Sequence, residues 1–173
     1  MDSELLVVGD AGMTEATRPS RRRGVEVAAQ YFLTQQLGLD AEYAFSRARF
    51  ADHDPAGDRI PGAVEGVATV ALSLDLRPAT VEIRFRYVGP RPLIENDSAR
   101  SSSSRLVSAS ASRQLSRNVQ LYFDVFNLLD AEVSDIEYFY PSRLAGEPKE
   151  GIEGVHFRPV EPRSIRVGLR TTF

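Results

Sequence analysis

Along most of the chain, apolar and polar residues alternate one by one. Near the end, Ile165, Val167, Leu169, Thr171 and Phe173 take alternate positions, with Arg166, Gly168, Arg170 and Thr172 between them. A strand sends successive side chains to opposite faces, so this segment is apolar on one side and cationic on the other. With Ser164–Phe173, the period recurs in Glu4–Val8, Gly24–Tyr31, Leu37–Phe50, Ala63–Leu76, Thr80–Val88, Leu106–Arg113 and Asn118–Asn127. No helical spacing competes over a comparable length. Period two predicts an antiparallel all-β protein of about eight strands. Most segments run about 8–14 residues, where soluble strands average about 5–6 and a tilted membrane strand needs about 9–11. Length therefore favours a transmembrane β-barrel, in which one face of each strand meets lipid and the other water.

The connections carry a second asymmetry. Thr34–Gln36, Arg77–Ala79 and Gln114–Arg117 read as tight turns. Gly9–Arg23, Ala51–Gly62, Gly89–Arg105 and Asp130–Arg163 are long and rich in Gly, Pro, Ser and charge. Long and short alternate, as in outer-membrane barrels with short periplasmic turns and long extracellular loops.

Composition narrows the picture further. A net charge of −3 gives no electrostatic case for nucleic acid. The absence of cysteine removes disulfides and thiolate metal sites from consideration. No apolar run reaches the length of a membrane helix. Asp52, Asp54 and Asp58, with His53 nearby, could suggest a metal loop. Counted from Asp52, however, an EF-hand would need an oxygen ligand at Ala56 and a Glu at Ala63. A turn-rich loop explains those aspartates better. Ser101–Ser104 reads as flexible loop. No catalytic motif is present, so no enzyme activity, cofactor or metal is expected.

Several stretches, DSELLVVGDAG, RPSRRRGVEVA, ARFADHDPAGDRIPGAVE, RYVGPRPLIENDSAR, FDVFNLLDAEVSDIEYFYPSRLAGEP and VHFRPVEPRSIRVGLRTTF, resemble the C-terminal barrel region of TonB-dependent outer-membrane receptors. The most specific part is Leu121–Phe173: a strand ending in NLLD, a long loop, and a last strand closing on Phe. The resemblance implies a stretch of about eight strands from a barrel of about 22, forming an open curved sheet in isolation, with residues 1–173 lacking plug domain and TonB box. It implies a fragment of an active-transport receptor for a siderophore, cobalamin or similar scarce nutrient in the Gram-negative outer membrane, not transport-competent alone. The partners implied are membrane lipid, the barrel-assembly machinery, and the plug domain and TonB complex of the full-length receptor. Val167, Leu169, Thr171 and Phe173 resemble the C-terminal assembly signal, with Thr171 a departure from a wholly apolar stripe.

Two further groups follow. Glu42, Asp75, Glu82, Arg84, Arg86, Asp124, Arg166 and Arg170 are expected on the lumen face. Tyr138, Phe139, Tyr140 and Arg143, in the longest loop, are ligand candidates, since aromatic rings beside arginine hold anionic aromatic molecules. Packing of those rings within the loop, or a place in the aromatic girdle, is the competing account. A complete small eight-stranded barrel and, less favoured, a soluble β-sandwich are the alternative architectures.

Overall fold

A computed structural model describes residues 1–8 and 13–172. It contains eleven strands. Seven form one antiparallel sheet: β3 (Ser20–Phe32), β4 (Leu37–Phe50), β5 (Gly66–Asp75), β6 (Ala79–Val88), β7 (Ser104–Ser116), β8 (Val119–Phe126) and β11 (Ser164–Thr171). Each pairs with its neighbour in chain order, and β11 joins β8 across the long excursion 127–163. That excursion contains a second hairpin, β9 (Ser134–Ser142) with β10 (Ile152–Pro159). A third hairpin joins β1 (Leu5–Val8) to β2 (Met13–Ala16).

One expectation is corrected here. Glu4–Val8 is not a strand of the main sheet; it forms β1 and pairs with β2 at the end of the sheet that carries the long loops. The reason lies in two contacts. Leu6 packs against buried Ala48, Phe50, Ile60 and Ala63, and the Glu4 carboxylate is held by the Ser20 hydroxyl at 2.6 Å. Long connections do fall at one end, and short turns join β3–β4, β5–β6 and β7–β8 at the other.

The register explains the alternation physically. Tyr31, Leu39, Leu72, Ile83, Ala109, Val125 and Ile165 stand in one row across all seven strands. A neighbouring row runs Leu37, Leu74, Val81, Ala111, Phe123 and Val167. One continuous apolar surface results. It is not buried: Val27 is 58% exposed, Ile83 49%, Val167 63% and Leu169 62%. A water-soluble domain would cover such a surface, since apolar area gains about 25 cal/mol per Å² on leaving water. Among the described residues no second sheet packs on it, which argues against a β-sandwich. Nor do the edge strands β3 and β11 pair with each other, so the sheet is open rather than a closed small barrel. Both edges run from the loop end to the turn end, as alternating strands in a seven-membered sheet must.

The buried core sits at the loop end. There Ala48, Phe50, Ile60, Ala63, Leu93 and Leu106 are buried where loops fold over the tops of the strands, and Ala71 and Val125 are buried within β5 and β8.

Candidate functional site

The loop end is where polar side chains converge. Loops 51–65 and 89–103 are joined by a closed ring of four charges. Arg59 reaches Glu65 at 2.9 Å and Asp97 at 2.8 Å. Arg100 reaches both the same Glu65 and the same Asp97. Each side chain is only about a quarter exposed. Two forked guanidiniums and two carboxylates can close such a ring because each group has two hydrogen-bonding ends. The partners push the Arg100 guanidinium to an even higher pKa, Glu65 being the main cause. Backbone bonds add to the clamp, with Arg59 N donating to Glu95 O and Gly62 N to Pro92 O.

Arg18 ties the segment before β3 into the same cap. Its Nε meets the Asp52 carboxylate at 2.9 Å, Nη1 meets Glu95 at 2.9 Å, and the guanidinium lies 4.3 Å from the Phe50 ring centre. Hydrogen bonding from Arg18 holds Asp52 below the usual carboxylate range. The aspartates that could have made a metal loop are thus engaged otherwise: Asp52 with Arg18, Asp58 with Arg49 at 2.5 Å, and Asp54 with its own turn at Ala56 N. Ser101 is not flexible loop either. It is buried, and its N donates to Arg91 O while its Oγ accepts from Arg91 N.

The NLLD phrase closes the base of the long excursion. Asn127 is 1% exposed and has φ 49°; Asp130 has φ 53°. Asn and Asp tolerate this left-handed region better than other side chains with a Cβ. Asn127 Oδ1 accepts from Ala131 N, and its Nδ2 donates to Ala131 O and Glu161 O. Asp130 accepts from Arg163 N at 2.9 Å. Asn127 and Asp130 therefore pin both ends of 131–163 beside the start of β11.

The aromatic candidates lie on β9, within a hairpin rather than an irregular loop. Tyr138, Phe139 and Tyr140 are half-buried. The Tyr140 ring stacks on His156 with centroids 3.9 Å apart at 14°. Tyr138 lines a recess of about 590 Å³ together with Glu4, Leu6, Arg22, Ile60, Arg91 and Leu93. Arg143 is not brought to it; it lies beyond β9 and donates to Glu147 O at 3.2 Å. Glu137, immediately before Tyr138, is buried and accepts from Ser102 N, docking the hairpin onto the loop before β7.

The eight charged positions of the main sheet share the face opposite the apolar rows. Glu82, Asp124 and Arg166 stand in one row through Ser110, and Glu42 and Arg86 in another through Thr69. Asp75, Arg84 and Arg170 have the same parity in β5, β6 and β11. Glu82 bonds Arg84 at 2.8 Å, and Asp75 bonds Arg77 at 3.0 Å. In the terminal stripe, Val167, Leu169 and Thr171 lie on the apolar face of β11; Phe173 lies outside the described residues.

The ring Arg59–Glu65–Arg100–Asp97, and Arg18, escaped the sequence reading. The signal was there, in basic and acidic residues alternating in two long loops that flank one hairpin. Pairing between loops has no period to betray it.

An open antiparallel sheet of long strands, apolar and uncovered on one face and charged on the other, has the architecture of a stretch of β-barrel wall. Comparison with solved structures shows where the same fold occurs. Over 95% of its length the chain superposes on the copper transporter OprC, with a TM-score of 0.70 and 20% identity. Over 92% it superposes on the ferric yersiniabactin uptake receptor FyuA from Yersinia pestis, at 0.71 and 18%. The ferric citrate transporter FecA, unliganded, matches 88% at 0.68 and 17%. The chain spans about a quarter of each of these structures, 25%, 25% and 24%. Its fold is that of part of the barrel of TonB-dependent receptors, as the sequence resemblance implied. No family model and no curated protein sequence matches it.

Proposed function

We propose that the chain is part of the wall of an outer-membrane receptor that takes up a scarce nutrient, such as a metal or a siderophore, in a Gram-negative cell. It works with a plug domain and the TonB complex and is installed by the barrel-assembly machinery. The observation that carries this is the uncovered apolar surface running through all seven strands. Hydrocarbon outside and a wet lumen inside account for both faces at once. On this reading Glu42, Asp75, Glu82, Arg84, Arg86, Asp124, Arg166 and Arg170 line the lumen, where hydration avoids the heavy cost of burying charge. Tyr138, through the recess it lines, has access to a ligand at the loop end. The Tyr140–His156 stack serves the packing of its own hairpin. Val167, Leu169 and Thr171, with Phe173, act as the assembly signal.

The chain contains no cysteine, so single cysteines at Ile83 and at Ser110 can carry nitroxide labels in the membranes of producing cells. Ile83 is expected to be accessible to oxygen and shielded from a water-soluble nickel complex, and Ser110 the reverse. Equal nickel access at both positions would remove the membrane reading.

A further inference from the structure

Three arginines in succession open β3, and they do not share one environment. Arg22 turns toward the loop cap and pairs with buried Glu4. Arg21 and Arg23 point the other way, onto the face of Val25 and Val27. There each meets another arginine: Arg21 stands opposite Arg49, and Arg23 opposite Arg47. Directly opposed residues of an antiparallel pair have Cβ atoms about 4.5–5.5 Å apart, and like charges there repel. The next pair on the same face is roughly 7 Å along the strands. Among the described residues, Arg21, Arg23 and Arg47 have no ion-pair partner, and Arg49 has Asp58. Four cations thus face one carboxylate. They line a recess of about 350 Å³ with Phe50 and Ala51. Directly down the two strands follow Val25 opposite Phe45 and Val27 opposite Tyr43, where the apolar surface begins.

We propose that this recess binds the phosphate groups of a phosphorylated lipid in the outer leaflet. The inference rests on the membrane reading above. Repulsion between directly opposed arginines calls for a counter-anion, and one carboxylate leaves most of the charge unanswered. Guanidinium forks hold phosphate oxygens in pairs, and phosphate carries enough charge to offset two of them. The patch lies at the upper border of the apolar band, on its outward side, at the level of lipid headgroups rather than of a ligand in the lumen. Two arginine pairs one step apart suit a headgroup with two phosphates.

The test uses the full chain in phosphatidylethanolamine vesicles containing diphosphoryl lipid A or its dephosphorylated form. Lipid retained after mild detergent extraction is measured by mass spectrometry. A nitroxide at Ile83 reports seating in the bilayer. The variant combines Arg21→Gln, Arg23→Gln and Arg47→Gln, and leaves the Arg49–Asp58 pair intact. The wild-type chain is expected to retain the diphosphoryl lipid in preference to the dephosphorylated one. The variant should retain it on the order of 100-fold less, at about fivefold per lost charge. Inorganic phosphate should not displace it. Equal retention of both lipids, undiminished retention by the variant, or displacement by inorganic phosphate would each overturn the lipid site. With the Ile83 label still lipid-exposed, such a result leaves the barrel reading standing; a water-exposed label removes both.

Discussion

Ile83 sits in the middle of β6, in the row that crosses the whole sheet, and is 49% exposed. The substitution Ile83→Arg separates the two solvents that this face could meet. On a water-bathed surface an exposed side chain of this kind changes stability by roughly 0.5 kcal/mol or less. At the middle of a bilayer, arginine on the lipid face of a barrel costs about 2–4 kcal/mol. At 1.36 kcal/mol per decade, that is a drop of roughly 30- to 1000-fold in the ratio of folded to unfolded chain. Ser110→Arg is the matched control. Ser110 lies one row away on the opposite face and stands in register with both Glu82 and Asp124. A cation there gains two carboxylate neighbours, so its effect should be neutral or slightly stabilising. The assay is urea titration of the chain in isolated membranes, with protease resistance as the readout of folded chain. Ile83→Arg should lower the midpoint well below that of Ser110→Arg. Coincident midpoints would mean that the apolar face is not in hydrocarbon, and the cost assigned to it would be wrong.

Three more expectations come from the loop end. Glu65→Gln takes the shared carboxylate out of the four-charge ring; with side chains about a quarter exposed, the loss should be about 1–2 kcal/mol, confined to the loops, and hydrogen exchange at Arg59 and Gly62 should quicken while that in β6 stays unchanged. Asn127→Ala removes three hydrogen bonds at a nearly fully buried site with positive φ; a cost of about 2–4 kcal/mol is expected, seen as lost protection of the Ala131 amide, and retained protection would show that the side chain does not hold the base of the excursion. Glu4 has its pKa lowered from 4.5, chiefly by the Ser20 hydroxyl and then by Arg22. A lowered folded value means that its contribution is complete above 4.5 and is lost as pH falls through the lowered value. Protection of the Glu4 and Thr17 amides, corrected for intrinsic exchange, should therefore hold at neutral pH and collapse only in acid below 4.5; collapse near pH 6 would assign the anchorage to another group.

What the sequence disclosed and what it hid divide along a physical line. The strands of the main sheet follow from alternation alone, because a half-solvated strand writes its two environments into successive residues. Leu121, Phe123 and Val125 on one side of β8, with Gln120, Tyr122 and Asp124 on the other, leave no choice of face. Glu4–Val8 carries the same alternation and yet serves a different end. Period two reports that a segment is a strand, not which neighbour it pairs with, and the pairing of β1 was decided by Leu6 and Glu4 finding partners in the cap. The aromatic trio gave a similar half-answer. Tyr138, Phe139 and Tyr140 declared themselves by composition, but their division between a recess and a stack on His156 depends on a hairpin partner sixteen residues away. Arg143 was grouped with them by proximity in sequence, and the end of β9 carried it off. The charged ring was least legible, since it joins loops whose only sequence mark is an excess of both signs.

The two edges of the main sheet point the same way, and this limits how a cylinder can be completed. If β11 were brought round to β3, the seam would be parallel, unlike every other junction in the sheet. A second copy inserted in the same orientation does not help, because it offers edges of that same direction and repeats the mismatch at both joints. Closure in uniform antiparallel order requires a complement with an odd number of strands whose two outermost members run upward, which makes the total even, as bacterial single-chain barrels are. Any set of strands that completed the cylinder in this order would therefore have its parity and polarity fixed by these seven, whatever its sequence.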